Sequence, residues 1–313
     1  MQKDSALYNF TQTLQGQVFY AAYMKNLSDE QRQDWTNNRN QVMNIKRGYA
    51  ESPNWIFVQA LEFAPEPLTV ERFRRRAVYS SPSLTRALLE LLASEQYFDP
   101  IEGEYHLTKK GHAEAEKIRQ FRINTFEGFE PISPDISAQI EGYMKRIILA
   151  SLEVDTISTW SLVHSRKRAP EKDAPALAKI VQYGSDFNAF RDDAHMAAFG
   201  EYDVEGHVWE AFSYIKNQQA TTVADLYEKL AYRGFYTQDW QLALDTLVNR
   251  GWLEVRNGIY ATTSKGLEVS QDIEAKTDSY FYEPWEVLSA AEYSDLITKM
   301  QELSDACQAL TAS

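Results

Sequence analysis

Apolar positions recur at helical spacing over residues 5–26, where Leu7, Phe10, Leu14, Val18, Tyr20, Ala21 and Met24 predict a first long helix. Ser28-Asp29-Glu30 is a start signal for a second helix, running through Trp35 and Arg39 to about Arg47. After Ser52-Pro53-Asn54, the run from Trp55 to Leu61 predicts another helix, which Ala64-Pro65-Glu66-Pro67 ends. Thr69 is placed to cap a short helix opening at Val70. Ser80-Ser81-Pro82-Ser83 opens a further helix with Leu84, Leu88, Leu89 and Leu92 on one face. Two short helices joined tightly predict a helix-turn-helix, and Tyr97 to Leu107, turning at Glu102-Gly103, predicts a two-stranded wing. A helix over about Lys110 to Ile123 follows. After Ile132-Ser133-Pro134 comes one more, carrying Ile136, Ile140, Met144 and Ile147.

The pattern then repeats. Tyr105-His106-Leu107-Thr108-Lys109-Lys110-Gly111 returns as Tyr260-Ala261-Thr262-Thr263-Ser264-Lys265-Gly266, 155 positions later (260 − 105). Further matches keep nearly that spacing. Asp34, Trp35 and Arg39 fall on Asp186, Phe187 and Arg191, Trp55 on Trp209, Thr69-Val70 on Thr222-Val223, and Leu89 and Leu92 on Leu244 and Leu247. Gly103 falls on Gly258, Phe126-Glu127 on Tyr282-Glu283, and Met144 on Met300. Two copies with so long a period indicate duplication of a whole unit rather than a solenoid. The expected domains are residues 1–152, with a winged helix over about 55–125, and 153–313, with a winged helix over about 207–276. The expected fold class is mainly α with small β wings.

With 313 residues the chain is long enough to bury a sizeable core without staples. Its single cysteine, Cys307, excludes an intrachain disulfide framework and a Cys-rich zinc module. The first residues lack the features of a signal peptide, and no apolar stretch approaches ~18 residues, so a cytoplasmic protein that neither enters nor spans a membrane is expected. A net charge of −13 argues against indiscriminate coating of nucleic acid. Charge is uneven, however: residues 65–125 carry ten Lys and Arg against nine Asp and Glu. That stretch is nearly neutral in an acidic chain, which favours local phosphate contact.

The Leu84–Leu92 helix, the wing, the turn Leu107-Thr108-Lys109-Lys110-Gly111 and the helix after it together resemble the multiple-antibiotic-resistance-regulator (MarR) family of winged-helix regulators. The family's wing typically runs into a Leu-Thr-x-x-Gly turn. The second copy, Thr262-Thr263-Ser264-Lys265-Gly266, replaces the leucine. Leu288-Ser289-Ala290-Ala291-Glu292-Tyr293 through Leu303 resembles the family's last helix. Family members are dimers whose terminal helices interlock, so the resemblance implies a single-chain pseudo-dimer: two tandem winged-helix units sharing a helical interface, monomeric, with double-stranded DNA as partner. It also implies a pocket for a small aromatic effector; Phe19, Tyr20, Tyr23, Trp35, Trp55, Trp160, Trp209 and Trp285 would serve as core or as its lining. No cofactor or metal is implied.

The same resemblance sends the helix from Ser81 to about Ser94 into a major groove, with Ser81, Ser83, Thr85 and Arg86 reaching base edges. Arg72, Arg74, Arg75 and Arg76 before it and Lys109 and Lys110 after the wing are candidates for phosphate contact, with Arg74 to Arg76 otherwise a solvated helix face paired with nearby Glu. In the second unit Thr237 and Gln238 occupy the corresponding helix beside acidic Asp239 and Asp245. Arg256 and Asn257 resemble the wing residues that enter a minor groove, where the first wing has Glu102 and Glu104. Neither unit carries a full set, which suggests an asymmetric site or loss of DNA binding by one unit. The run Ser165-Arg166-Lys167-Arg168 reads either as a backbone-phosphate contact between half-sites or as a solvated loop.

Two other classes stay open. A degenerate winged-helix scaffold binding a protein or small molecule is motivated by the acidic second unit. An enzyme or metal site would have to use Arg191, Asp192, Asp193 and His195 with Glu205 and His207, whose spacing fits no compact ligand motif. The chain also lacks the Gly-x-Ser-x-Gly, Walker and dinucleotide signatures. No enzymatic activity is expected.

Overall fold

The computed structural model describes residues 3–28, 30–31 and 53–312. Of the helix expected from Ser28 to Arg47, all but Ser28, Glu30 and Gln31 lies outside this range, Trp35 and Arg39 included, as does the Trp55 side chain. Among the described residues the chain is mainly helical with two small antiparallel hairpins.

In the first half α1 (Ser5–Lys25) starts at Asp4, whose carboxylate accepts from the Ala6 and Leu7 amides. Next come α2 (Pro53–Phe63), α3 (Val70–Arg76) and α4 (Pro82–Ser94). Thr69 and Ser81 cap α3 and α4 by accepting the Arg72 and Leu84 amides, each at 3.1 Å. Pro82 sits in the first turn of α4, where no backbone donor is missed. Strands β1 (Phe98–Ile101) and β2 (Glu104–Leu107) pair from Phe98↔Leu107 to Ile101↔Glu104. Their turn, Glu102-Gly103, has φ of 51° and 86°, the left-handed pair that a two-residue hairpin requires. Helices α5 (Lys109–Asn124), α6 (Pro134–Leu152) and α7 (Trp160–Arg166) follow.

In the second half come α8 (Ala176–Gly200), α9 (Gly206–Lys216), α10 (Val223–Lys229) and α11 (Thr237–Asn249). Strands β3 (Leu253–Arg256) and β4 (Ile259–Thr262) precede α12 (Ser264–Tyr282) and α13 (Ala290–Ala312). α10 starts 153 residues after α3 (223 − 70), and α11 starts 155 after α4 (237 − 82). The second hairpin keeps the register of the first at a shift of 155 (253 − 98), from Leu253↔Thr262 to Arg256↔Ile259.

The turn that follows each hairpin has a physical reason. The Thr108 hydroxyl donates to the Gln96 carbonyl at 2.7 Å and accepts the Gly111 amide at 3.1 Å; Thr263 does the same with Gly251 and Gly266, at 2.7 and 3.1 Å. A Cβ on Gly111 would lie 2.1 Å from the Tyr97 carbonyl oxygen, and one on Gly266 2.3 Å from that of Trp252. Threonine caps the incoming helix, and glycine lets its first turn lie against the foot of the hairpin.

The residues fall into two compact units, and neither follows the boundary between the halves. The first comprises Met1–Arg39, Glu116–Ala197 and Thr277–Ser313; the second comprises Asn40–Ala115 and Ala198–Lys276. Unit one is built on a helical core with Leu14 and Val18 of α1, Ile140 and Met144 of α6, Phe187 and Phe190 of α8, and Leu296 and Met300 of α13. Phe187, Phe281 and Trp285 pack ring against ring there, with centroids 5.2 to 6.2 Å apart. Unit two holds both sets of short helices and both hairpins. Its first lobe buries Phe57, Phe73, Leu89 and Phe98, and its second Trp209, Phe212, Trp240 and Trp252.

Candidate nucleic-acid interface

Each lobe of unit two presents a capped helix (α4 or α11) preceded by a short helix and followed by a hairpin. The face of α4 turned to solvent carries Ser83, Arg86 and Glu90; that of α11 carries Thr237, Gln238, Gln241 and Asp245. Lys109 is exposed at the start of α5. Lys110 is exposed as well, but its ammonium donates to the Glu95 carbonyl at 2.7 Å and lies 4.0 Å from the centre of the Tyr97 ring. Lys265 donates likewise to the Arg250 carbonyl at 2.8 Å. At the tip of the second hairpin the Arg256 side chain is 80% exposed, 3.0 Å from Glu254. Asn257 beside it takes the left-handed turn position, φ 53°.

Several nominated residues are not at the surface. Ser81 and Thr85 are 3% and 1% exposed. The Ser81 hydroxyl caps α4, and that of Thr85 turns back to the Ser81 carbonyl at 3.2 Å, so neither projects toward a base edge. Arg72, Arg74, Arg75 and Arg76 do not form one basic face. Arg72 donates to the Pro67 carbonyl at 2.6 Å and pairs with Glu66 at 3.4 Å. Arg74 has a buried Nε with no hydrogen-bond partner among the described residues. Arg76, 4% exposed, pairs at 3.2 Å with the wholly buried Glu62. Of the four, only Arg75 is exposed.

The two lobes meet where these helices begin. The Ser81 amide donates to the Arg233 carbonyl at 2.8 Å. Gly234, φ +72°, is so close that a Cβ there would lie 2.5 Å from the Leu84 Cβ and 2.8 Å from the Ser81 hydroxyl. Arg233 is fixed from both sides: it grips Glu210 through three hydrogen bonds of 2.7 to 3.1 Å, and the Tyr79 and Tyr232 rings lie 5.3 and 4.7 Å from its guanidinium. Gly206 completes the seam, since a Cβ there would come within 2.6 Å of the Val78 carbonyl oxygen. Sequence reasoning missed this seam. Its only signal is a glycine in the short connection Tyr232-Arg233-Gly234-Phe235.

The remaining candidates serve the fold. Arg166 donates to Asp186 at 2.6 Å, and Arg168 is buried with its guanidinium 3.2 Å from the Ser165 hydroxyl, so the basic run is not a solvated loop. Asp193 accepts the Ser161 and Leu162 amides, both at 2.9 Å, and thereby closes the start of α7. Arg191 pairs with Asp278 at 2.8 Å, and His195 sits 3.2 Å from the Thr277 hydroxyl. His207 stacks on Phe235, centroids 4.4 Å apart. Burial holds its imidazole below the ordinary histidine range, with Arg74 adding to the effect and Glu205 and Asp239 opposing it. Among the described residues no group of three or more His, Cys, Asp or Glu is placed to hold a metal ion. Nor is any helix among them long and apolar enough to cross a membrane.

No curated protein and no solved structure matches the chain. Residues 170–312 match the model of a helix-turn-helix family. This stretch takes in α9 to α11 and the second hairpin, and the match supports a helix-turn-helix, DNA-binding region in the second lobe.

Proposed function

We propose that the chain is a cytoplasmic, DNA-binding transcriptional regulator built as a fused pair of MarR-like winged-helix units, residues 1–152 and 153–313. The helix-turn-helix match over residues 170–312, with an equivalent set of helices and hairpin 155 residues earlier, is the observation that carries the reading. On this reading α4 and α11 are the recognition helices. DNA contact falls to the exposed residues Ser83, Arg86, Lys109, Thr237, Gln238, Arg256 and Asn257, with Arg75 toward phosphate. Fusion fixes the pairing of two unlike lobes and removes the concentration dependence of dimerisation.

Two recognition helices entering adjacent major grooves stand about one turn of DNA apart, ~34 Å. The seam at Ser81, Arg233 and Gly234 instead brings the start of α4 against the connection into α11. We read this arrangement as the closed one, from which the lobes separate to engage DNA. A small aromatic effector that prefers either arrangement would shift the population.

Selection of genomic fragments by the purified protein, followed by titration of an enriched fragment at two salt concentrations, tests the function. A specific fragment whose affinity falls with salt, and falls further in Arg86→Ala and Lys109→Ala, is expected. No enrichment at low salt would remove the regulator reading. A second reading, a scaffold that binds a protein, is favoured by Tyr236 and Leu242, which stand 69% and 65% exposed at the start and middle of α11. It predicts no fragment, and loss of partner capture in Tyr236→Ser/Leu242→Ser.

A further inference from the structure

A cleft of about 240 Å³ opens in unit one between α6 and the α7–α8 region, and its walls gather cations. Lys145, Arg166, Lys172 and Lys179 line it, against a single carboxylate, Glu141. In a chain of net charge −13 this is an unusual convergence. Like charges brought to one concavity repel, and the low-dielectric walls of a cleft strengthen that repulsion.

Only Arg166 has a carboxylate partner among the described residues, Asp186 behind it. Among the described residues the Lys145 and Lys172 ammoniums have no hydrogen-bond or ion-pair partner, while Lys179 donates to the Lys172 carbonyl at 2.5 Å. Glu141 is already engaged, accepting the Tyr183 hydroxyl at 3.1 Å. Arg166 is held in place from behind. Asp186, wholly buried, accepts from it at 2.6 Å, from the Ser165 hydroxyl at 2.7 Å and from the Gln182 amide at 2.8 Å. That anchor uses one guanidinium nitrogen and leaves others for a ligand, with the Tyr183 ring 5.3 Å from the guanidinium carbon. A fixed guanidinium, three lysines and an aromatic wall make a recess suited to a compact anion bearing more than one charge.

We propose that this cleft binds a small, multiply charged anion of the phosphate-monoester class, with Arg166 as the fixed contact and Lys145, Lys172 and Lys179 closing over it. The volume lies below the range of drug-sized sites, roughly 300–1,000 Å³, which confines the ligand to metabolite size. The site stands on unit one alone and does not depend on the DNA-binding reading.

Isothermal titration at constant ionic strength tests it, with inorganic phosphate, phenyl phosphate and benzoate as probes and chloride as the background anion. Inorganic phosphate and phenyl phosphate are expected to bind saturably at one site. Benzoate, with the same ring and a single charge, is expected to bind at least tenfold more weakly. Lys145→Gln/Lys172→Gln is expected to weaken phosphate binding at least tenfold, whereas Lys145→Arg/Lys172→Arg retains it. The proposal is overturned by the absence of saturable heat from the unaltered protein, by benzoate binding as tightly as phenyl phosphate, or by equal phosphate affinity in the glutamine variant. It is overturned too if that variant loses affinity for DNA while phosphate gives no saturable signal, because the cleft would then be a contact for DNA backbone.

Discussion

Four arginines stand within five positions on α3, from Arg72 to Arg76, yet their surroundings differ enough to give losses of very different size on substitution. Arg76 neutralises Glu62 where neither side chain reaches water. Removing it strands a buried carboxylate, so Arg76→Ala is expected to cost about 3–5 kcal/mol in urea unfolding, against ~0.5 kcal/mol or less for the exposed Arg75→Ala. Similar losses in both variants would count against the buried pair. Thr262 gives the reverse case. It ends the second hairpin where Leu107 ends the first, and its hydroxyl is buried with no partner among the described residues. Thr262→Val keeps the shape and removes the stranded group, so a gain of about 1 kcal/mol is expected; a loss would mean that the hydroxyl has a partner. His207 sets a pH dependence. Its folded pKa is depressed, so the folded form resists the proton that the unfolded chain accepts below about 6.5. Stability contributed by the neutral ring is complete above that value and falls as pH drops toward the folded pKa. His207→Phe is expected to flatten the decline of the unfolding midpoint between pH 7 and 5, and an unchanged slope would assign that decline to carboxylates.

At the scale of elements the clearest prediction concerns the unlike wings. Arg256 is the exposed cation at the tip of the second hairpin, whereas Glu102 occupies the turn of the first. Arg256→Ala is expected to lower affinity for a selected fragment and to reduce the salt dependence by about one counterion. An unchanged salt slope would exclude the second wing from phosphate contact. The elements were legible because each rests on local chemistry: Thr69 and Ser81 cap helices, Glu102-Gly103 makes a two-residue turn, and Leu88, Leu89 and Leu92 face a core. Gly111 and Gly266 were legible as a repeated motif, but its reason, a carbonyl 2.1–2.3 Å from any Cβ, comes from the hairpin lying against the helix. Sidedness was less legible. The sequence spacing that places Ser81 and Thr85 at the start of α4 also suits a cap and an inward-facing threonine, and the hydroxyls take those roles by bonding within the helix start, to the Leu84 amide and the Ser81 carbonyl. The basic run at residues 165–168 misleads similarly, because Asp186, which anchors Arg166, lies 20 residues away.

For the whole molecule the decisive feature is the seam between the lobes of unit two, because it opposes the geometry that a two-groove reader needs. If the closed arrangement dominates, apparent affinity is the intrinsic affinity scaled by the fraction of open molecules. A substitution that disfavours closure without touching a DNA contact then tightens binding. Gly234→Ala is such a change. It places a methyl 2.5 Å from the Leu84 Cβ at a left-handed backbone position, and overpacking of this kind costs about 1–3 kcal/mol. The left-handed strain falls on both arrangements, but the clash with Leu84 is borne by the closed state alone, and about 1.4 kcal/mol of it is a tenfold gain in apparent affinity. The variant is therefore expected to unfold at lower urea and yet bind a selected fragment about tenfold more tightly, with the salt slope unchanged because no phosphate contact is altered. Weaker binding that follows the lost stability would mean that the seam is part of the DNA-competent state. Two recognition helices joined at their starts would then have to read one short stretch of DNA rather than two half-sites a turn apart.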